Sequence, residues 1–166
     1  MLVRGFAPIA NADALVVILG TLPGGSSLDR FEYYADRTNV FWDIMGSLFG
    51  AQRNLPYEER INIISQNRVA IWDVLQSAKR DRSIDKAIVK GSEVPNDFNA
   101  FFSGHPSIKA IVFNGKRPQT YFQSLVAPRL ISLVSTPAQR VLPSTSQANT
   151  HMTRDATIKV WRFIQT

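Results

Sequence analysis

The sequence contains no cysteine and only two histidines, His105 and His151, which stand far apart. Thiolate-held iron–sulfur clusters and thiolate zinc sites are excluded, and a histidine zinc site lacks clustered ligands. No metal and no cofactor is expected. The missing thiols also fit a reducing compartment. Long apolar runs are absent too: none reaches bilayer-spanning length, and Met1-Leu2-Val3-Arg4-Gly5 lacks a basic stretch leading into an apolar core. The expectation is a cytoplasmic, intracellular protein with no membrane partner. Acidic residues are scarce in one half only. Residues 1–83 carry nine Lys/Arg and nine Asp/Glu, whereas residues 84–166 carry ten against four, the source of the net charge of +6. Such an excess attracts polyanions, although a basic surface can also serve solubility alone.

The 166 residues, 45% of them apolar, can close one good core and are expected to form one domain over residues 1–166. Ala14–Leu19 is a branched apolar run of strand length, as in a strand buried on both faces. Phe41, Ile44, Met45, Leu48 and Phe49 recur on one helical face that stops near Gly50. Residues 56–66 form a second helix, with Glu58 and Glu59 in its first turn. Val69–Leu75 reads as a second strand and Ile108–Phe113 as a third, with a short helix near Phe98–Phe102 and another over Thr120–Val126. Ile131–Val134 and Arg140–Leu142 supply one or two further strands. A closing helix over Thr153–Ile164 turns Ala156, Val160, Trp161 and Ile164 inward. Strands alternating with helices give an α/β fold: a three-layer α/β/α sandwich around a central, mostly parallel four-stranded sheet.

Ligands of such sheets sit outside the carboxyl ends of the strands. Three loops leave there, Gly20–Ser27, Asn114–Gln119 and Pro143–Thr150, all rich in Gly, Ser, Thr, Asn and Pro. The first is not a P-loop, because Ser26 stands where the lysine belongs. Nor is it a dinucleotide fingerprint, because Leu22 replaces the second glycine. Tyr33-Tyr34-Ala35-Asp36-Arg37-Thr38-Asn39-Val40-Phe41-Trp42 puts flat rings and one carboxamide at the mouth of a helix, as a pocket for a planar heterocycle needs. Each piece also has a plainer reading: Asn39 as a helix cap, Asn114-Gly115 as a turn, Trp42 as core, and Asp73 as a satisfied strand-end carboxylate.

Together these segments resemble the uracil-DNA glycosylase superfamily, in particular its deoxyinosine (hypoxanthine) DNA glycosylase branch, over nearly the whole chain. Gly20-Thr21-Leu22-Pro23-Gly24 is similar to the first superfamily motif. Tyr33-Tyr34 with Asn39-x-Phe41-Trp42, then Trp72-Asp73-Val74, Ser83-Ile84-Asp85, Phe113-Asn114-Gly115 and Leu142-Pro143-Ser144-Thr145-Ser146, follow in the branch's order. Leu22 departs from the asparagine of mismatch-uracil enzymes, Asp36-Arg37 from a frequent His-Pro, and Gln147 from a frequent Pro.

The resemblance implies a monofunctional glycosylase that flips a deaminated base out of double-stranded DNA and hydrolyses its N-glycosidic bond in base excision repair. Hypoxanthine is the first expected substrate, with uracil and xanthine behind it. Asn39 is implied as the catalytic residue, orienting water or contacting the sugar. Leu22, Tyr34, Phe41 and Asn114 are implied as base-binding, with Tyr34 and Phe41 stacking on the base and Asn114 reading its edge. Gly24, Ser26, Ser27, Lys116, Ser144, Thr145, Ser146 and Gln147 are implied as DNA-binding, with Thr145 or Gln147 filling the vacated stack. A monomer is expected. Two other classes are compatible with the residues: a damaged-DNA binding module without catalysis, and a small-molecule nucleoside or nucleotide enzyme.

Overall fold

Val16–Gly20 (β2) is buried along its whole length, and strands flank it on both sides in the same direction. The computed structural model describes residues 1–81, 87–131 and 137–165. With Val69–Asp73 (β3), Ala110–Asn114 (β6) and Ala138–Leu142 (β7), β2 builds a parallel sheet ordered β3-β2-β6-β7. The apolar run that marks β2 in the sequence is what a central parallel strand requires, since both of its faces are covered. Helices flank this sheet, giving the expected α/β/α sandwich.

The helices are Gly25–Arg30 (α1), Phe41–Phe49 (α2), Tyr57–Gln66 (α3), Phe98–Gly104 (α4), Lys116–Tyr121 (α5) and Arg154–Trp161 (α6). On α2 the periodic residues Phe41, Ile44 and Met45 are buried, and the helix ends at Gly50. After α5 the chain continues as a π-helical turn over Phe122–Val126 and a 3-10 turn over Ala127–Arg129, so the helical stretch expected from Thr120 begins four residues earlier and runs longer.

Three expectations need correction. Val69–Leu75 is not one strand: β3 stops at Asp73, and Leu75–Lys79 (β4) joins a second sheet. Asn96 takes the two carbonyls at the break, its Nδ2 donating to Asp73 O at 2.8 Å and its backbone N–H to Val74 O at 2.9 Å. That second, antiparallel sheet, ordered β1-β4-β5 with Leu2–Arg4 (β1) and Val94–Pro95 (β5), was not expected. On α6 and the 3-10 turn Arg162–Ile164 that follows it, the inward stripe runs through Thr157, Trp161 and Ile164, while Val160 is 41% exposed. Trp161 sets this rotation, because its Nε1–H donates to Pro143 O at 2.9 Å and its ring meets Phe41 edge-on. Of the expected strand Ile131–Val134, residues 132–134 lie outside the described residues, as does the Ser83-Ile84-Asp85 segment.

Register fixes what the sheet presents at its carboxyl edge. Gly20 stands beside Asp73 in the β2–β3 ladder, and Asn114 beside Leu142 in the β6–β7 ladder. Leu19 pairs with Phe113, so the two ladders end level.

Candidate active site

At that edge the chain packs tightly. A Cβ added to Gly20 would stand 2.5 Å from Asp73 Oδ1 and 3.1 Å from Tyr34 Oη, so only glycine lets these two groups close over the end of β2. Asp73 is buried, and its carboxylate, after burial itself, pushes the Tyr33 phenol far above its usual range. Tyr33 therefore stays neutral, and its hydroxyl donates to Ala7 O at 2.9 Å. It is a core residue that holds the amino-terminal segment, unlike its neighbour.

Tyr34 is half-buried, with φ of 56°, a backbone conformation that bulky residues rarely hold outside strained functional segments. Its ring lies on Phe41 at 3.9 Å between centroids and 18° between planes. Phe41 is 0% exposed, with Trp42 and Trp161 edge-on around it. Phe41, expected to stack on a base, is covered on one face by Tyr34 in this structure. Tyr34 lines a cavity of about 410 Å3 together with Ala35, Asn54, Glu32 and four arginines, Arg30, Arg37, Arg53 and Arg60.

Asn39 lies half-buried at the mouth of α2. It is one residue short of the N-cap, which is Val40. Its Oδ1 still accepts from Phe41 N–H at 3.0 Å, so the cap-like hydrogen bond expected of it is made from one position earlier. Its backbone N–H donates to Asp36 O at 3.0 Å, and its own carbonyl accepts from Arg53 Nη2. Arg53 is held in turn by Asp43 at 3.2 Å. Main chain and side chain are thus both fixed, and Asn39 Nδ2 makes no hydrogen bond to any described residue. The Asp36-Arg37 pair belongs to an Asx turn: Asp36 Oδ1 accepts from Thr38 Oγ1 at 2.6 Å and Thr38 N at 2.8 Å, and these bonds hold its carboxyl below the usual range.

The third loop arrives through Thr145, which is 1% exposed. Asn114 Nδ2 donates to Thr145 Oγ1 at 2.9 Å, and Asn114 Oδ1 accepts from Thr145 N–H at 2.9 Å. Thr145 O accepts from Val40 N–H at 3.0 Å. One buried residue therefore ties the end of β6, the 143–150 loop and the start of α2 together. Thr145, expected in the DNA groove, is buried here, with its hydroxyl accepting from Asn114 and its main chain bonded to Asn114 and Val40. Asn114 gives one N–H and one lone pair to the same clamp, leaving the other N–H and lone pair. Gly115, with φ of 91°, lets the chain pass so close to Ser144 that a Cβ there would meet the Ser144 Cβ at 3.0 Å.

The remaining expected residues divide cleanly. Ser146 and Gln147 are exposed at the tip of the 143–150 loop, and Lys116 is exposed at the start of α5. Ser144 is half-buried, with its Oγ accepting from Ser146 N at 3.3 Å. Gly24 is the N-cap of α1, and Ser26 lies half-buried in its first turn. Ser27, expected at a phosphate, is buried, and its Oγ accepts from Ala35 N–H at 3.2 Å, anchoring the segment that carries Tyr34. Leu22 is buried in the core beside Gly5.

Sequence reasoning missed the arginines. Arg60 is buried, its guanidinium over the Trp42 ring at 4.6 Å and the Tyr57 ring at 5.2 Å, with Glu32 at 3.5 Å and Leu55 O at 3.1 Å. Burial pulls its pKa below the ordinary arginine value, with Glu32 opposing. These cations come from the charge-balanced half of the chain, so the halves' charge count pointed elsewhere; only the fold brings α1, α2 and α3 termini to one wall.

No family model matches the chain. Among curated proteins it is 31% identical over 156 residues, 93% of each chain, to the hypoxanthine DNA glycosylase of Methanosarcina acetivorans. It is also 33% identical over 119 residues, 71% of this chain and 74% of the relative, to that of Methanosarcina barkeri. Among solved structures it superimposes with a TM-score of 0.76, at 27% identity and over the full length of both chains, on the solution NMR structure of a candidate uracil DNA glycosylase from Methanosarcina acetivorans. The α/β/α fold and the likeness to these relatives together put the chain among the DNA glycosylases. The chain belongs to the uracil-DNA glycosylase superfamily, in its hypoxanthine DNA glycosylase branch.

Proposed function

We propose that the protein removes deaminated bases, hypoxanthine first, from double-stranded DNA, leaving an abasic site. The observation that carries this reading is the rigid placement of the Asn39 carboxamide. Its Oδ1 is anchored by Phe41 N–H and its carbonyl by Arg53. Its Nδ2 is unspent, and the Val40–Thr145 bond ties its segment to the loop from β7. A group held this way costs no reorganisation when charge develops.

In this reading a mispaired nucleotide swings out of the stack, at a cost of about a few kcal/mol that is smallest for poorly paired bases. Tyr34 supplies the flat surface for the base, with Phe41 as its rigid backing. The C1′–N bond breaks with its electron pair leaving on the base. Water, oriented by Asn39, forms the new C1′–O bond, and its proton ends on the departing base. An amide orients water without accepting its proton, so the sugar cation and a good leaving group carry the barrier. The second Asn114 N–H faces the base edge as donor. Gln147 and Ser146, exposed at the loop tip, enter the groove, and Lys116, Ser26, Ser144 and Gly24 meet phosphates, which position the duplex without reading sequence.

The test is a panel of duplexes carrying one hypoxanthine, uracil or xanthine, treated with alkali after incubation to cut at abasic sites. The expected order places hypoxanthine first, with strand breaks appearing only after alkali. Asn39→Ala is expected to fall at least about 100-fold in rate, the scale of removing one oriented catalytic group, while melting as a folded protein. Full activity in that variant would reject its role.

A further inference from the structure

The cavity beside Tyr34 is walled by four guanidinium groups, Arg30, Arg37, Arg53 and Arg60, against one carboxylate, Glu32. Two of the four are already committed. Arg53 is held by Asp43 and the Asn39 carbonyl, and Arg60 by Glu32, Leu55 O and two aromatic faces. Arg30 and Arg37 are exposed and make no hydrogen bond or ion pair with any described residue. The nearest carboxylate to Arg37 along the chain, Asp36, is turned onto Thr38. The wall thus pairs two fixed cations with two available forks, a pattern suited to bidentate contact with phosphate oxygens. At about 410 Å3 the space is far larger than one inorganic anion needs. The wall reaches the Asn39 loop through Arg53, which sets it beside the residue proposed to meet the nucleotide.

We infer that this groove is a second DNA-binding surface, in which Arg30 and Arg37 engage successive backbone phosphates of the strand that carries the flipped nucleotide. The inference extends the proposed function but concerns binding, so it is tested without any base to release. Affinity for an undamaged duplex and for one holding a stable abasic analogue is measured by fluorescence anisotropy between 50 and 200 mM salt. The proteins compared are wild type, Arg30→Gln, Arg37→Gln, the double variant, and Lys109→Gln. Lys109 is exposed and precedes β6 at the opposite end of the sheet.

Each lost phosphate contact flattens the plot of log K against log salt by about 0.9. The double variant is expected to flatten it by about 1.8 on both duplexes, with each single variant giving half of that and Lys109→Gln none. An unchanged slope in the double variant, or an equal loss in Lys109→Gln, would overturn the inference. So would calorimetric binding of inorganic phosphate or a mononucleotide that the double variant abolishes while duplex affinity stays intact, since the groove would then serve a small anion. Circular dichroism confirms that the exposed substitutions leave the fold intact. A protein that releases no base but shows the slope change would sink the proposed function and leave this surface standing.

Discussion

Tyr33 shows how one buried phenol couples the site to pH. Burial, then the Asp73 carboxylate, raise its pKa far above the ordinary tyrosine value of about 10, so the folded protein keeps the proton where an unfolded chain gives it up. The folded value being raised, its contribution is complete below pH 10 and is lost as pH climbs above it, by about 1.4 kcal/mol per pH unit for one such group. Denaturant unfolding followed from pH 9 to 11.5 is expected to show stability falling above pH 10. Tyr33→Phe should fall less steeply while losing some stability at neutral pH with the bond to Ala7. An equal slope in both proteins would mean that Tyr33 ionises in place. Next to it, Tyr34 was legible in the sequence as a pocket residue, but its partner's burial was not. Phe41 and Tyr34 lie seven residues apart, and nothing in their spacing says which ring covers the other; the left-handed turn at Tyr34 decides it.

The strands and loops at the carboxyl edge were legible because β2 and β6 are apolar runs ending in Gly or Asn-Gly, and α2 has a clean helical period. What binds those loops together was not. The clamp of Asn114 on Thr145 joins residues 31 positions apart, and that of Val40 on Thr145 joins the start of α2 to the loop after β7. Each residue type had a ready local explanation as a turn or cap, so the pairing had no signature. The break at Asp73 was hidden for the same reason, since Val69–Leu75 is uniformly strand-like and the group that ends it, Asn96, is 23 residues on. The clamp has a measurable cost. Thr145→Val keeps the shape but strips the acceptor from Asn114 Nδ2, leaving a half-buried donor unpaired. The expected loss is about 1–2 kcal/mol, which for a chain of this size lowers the melting midpoint by about 2–8 °C. Thr145→Ser should recover most of it. A Val variant as stable as the wild type would show that the hydroxyl bond contributes nothing to holding the loop.

Across the molecule, three loops converge on one edge of a parallel sheet, beside an aromatic cluster of Tyr34, Phe41, Trp42 and Trp161. The fold class was readable from the alternation of strands and helices, and family membership follows from likeness along 93% of the chain. Charge was not readable in the same way. The sequence places the basic excess in residues 84–166, yet the arginine wall beside Tyr34 comes from residues 30–60, within the half of the chain where acids and bases balance by count but not in space. Counting charges along a chain averages over surfaces that folding separates. Base release is the defining step of the proposed activity. The most direct measurement is to incubate the protein with a duplex bearing a single hypoxanthine in 18O-labelled water and analyse the products by mass spectrometry. The account predicts free hypoxanthine in equal amount to an intact strand whose abasic sugar carries one 18O at C1′. A duplex recovered unchanged, with hypoxanthine still attached and no label in the sugar, would contradict it.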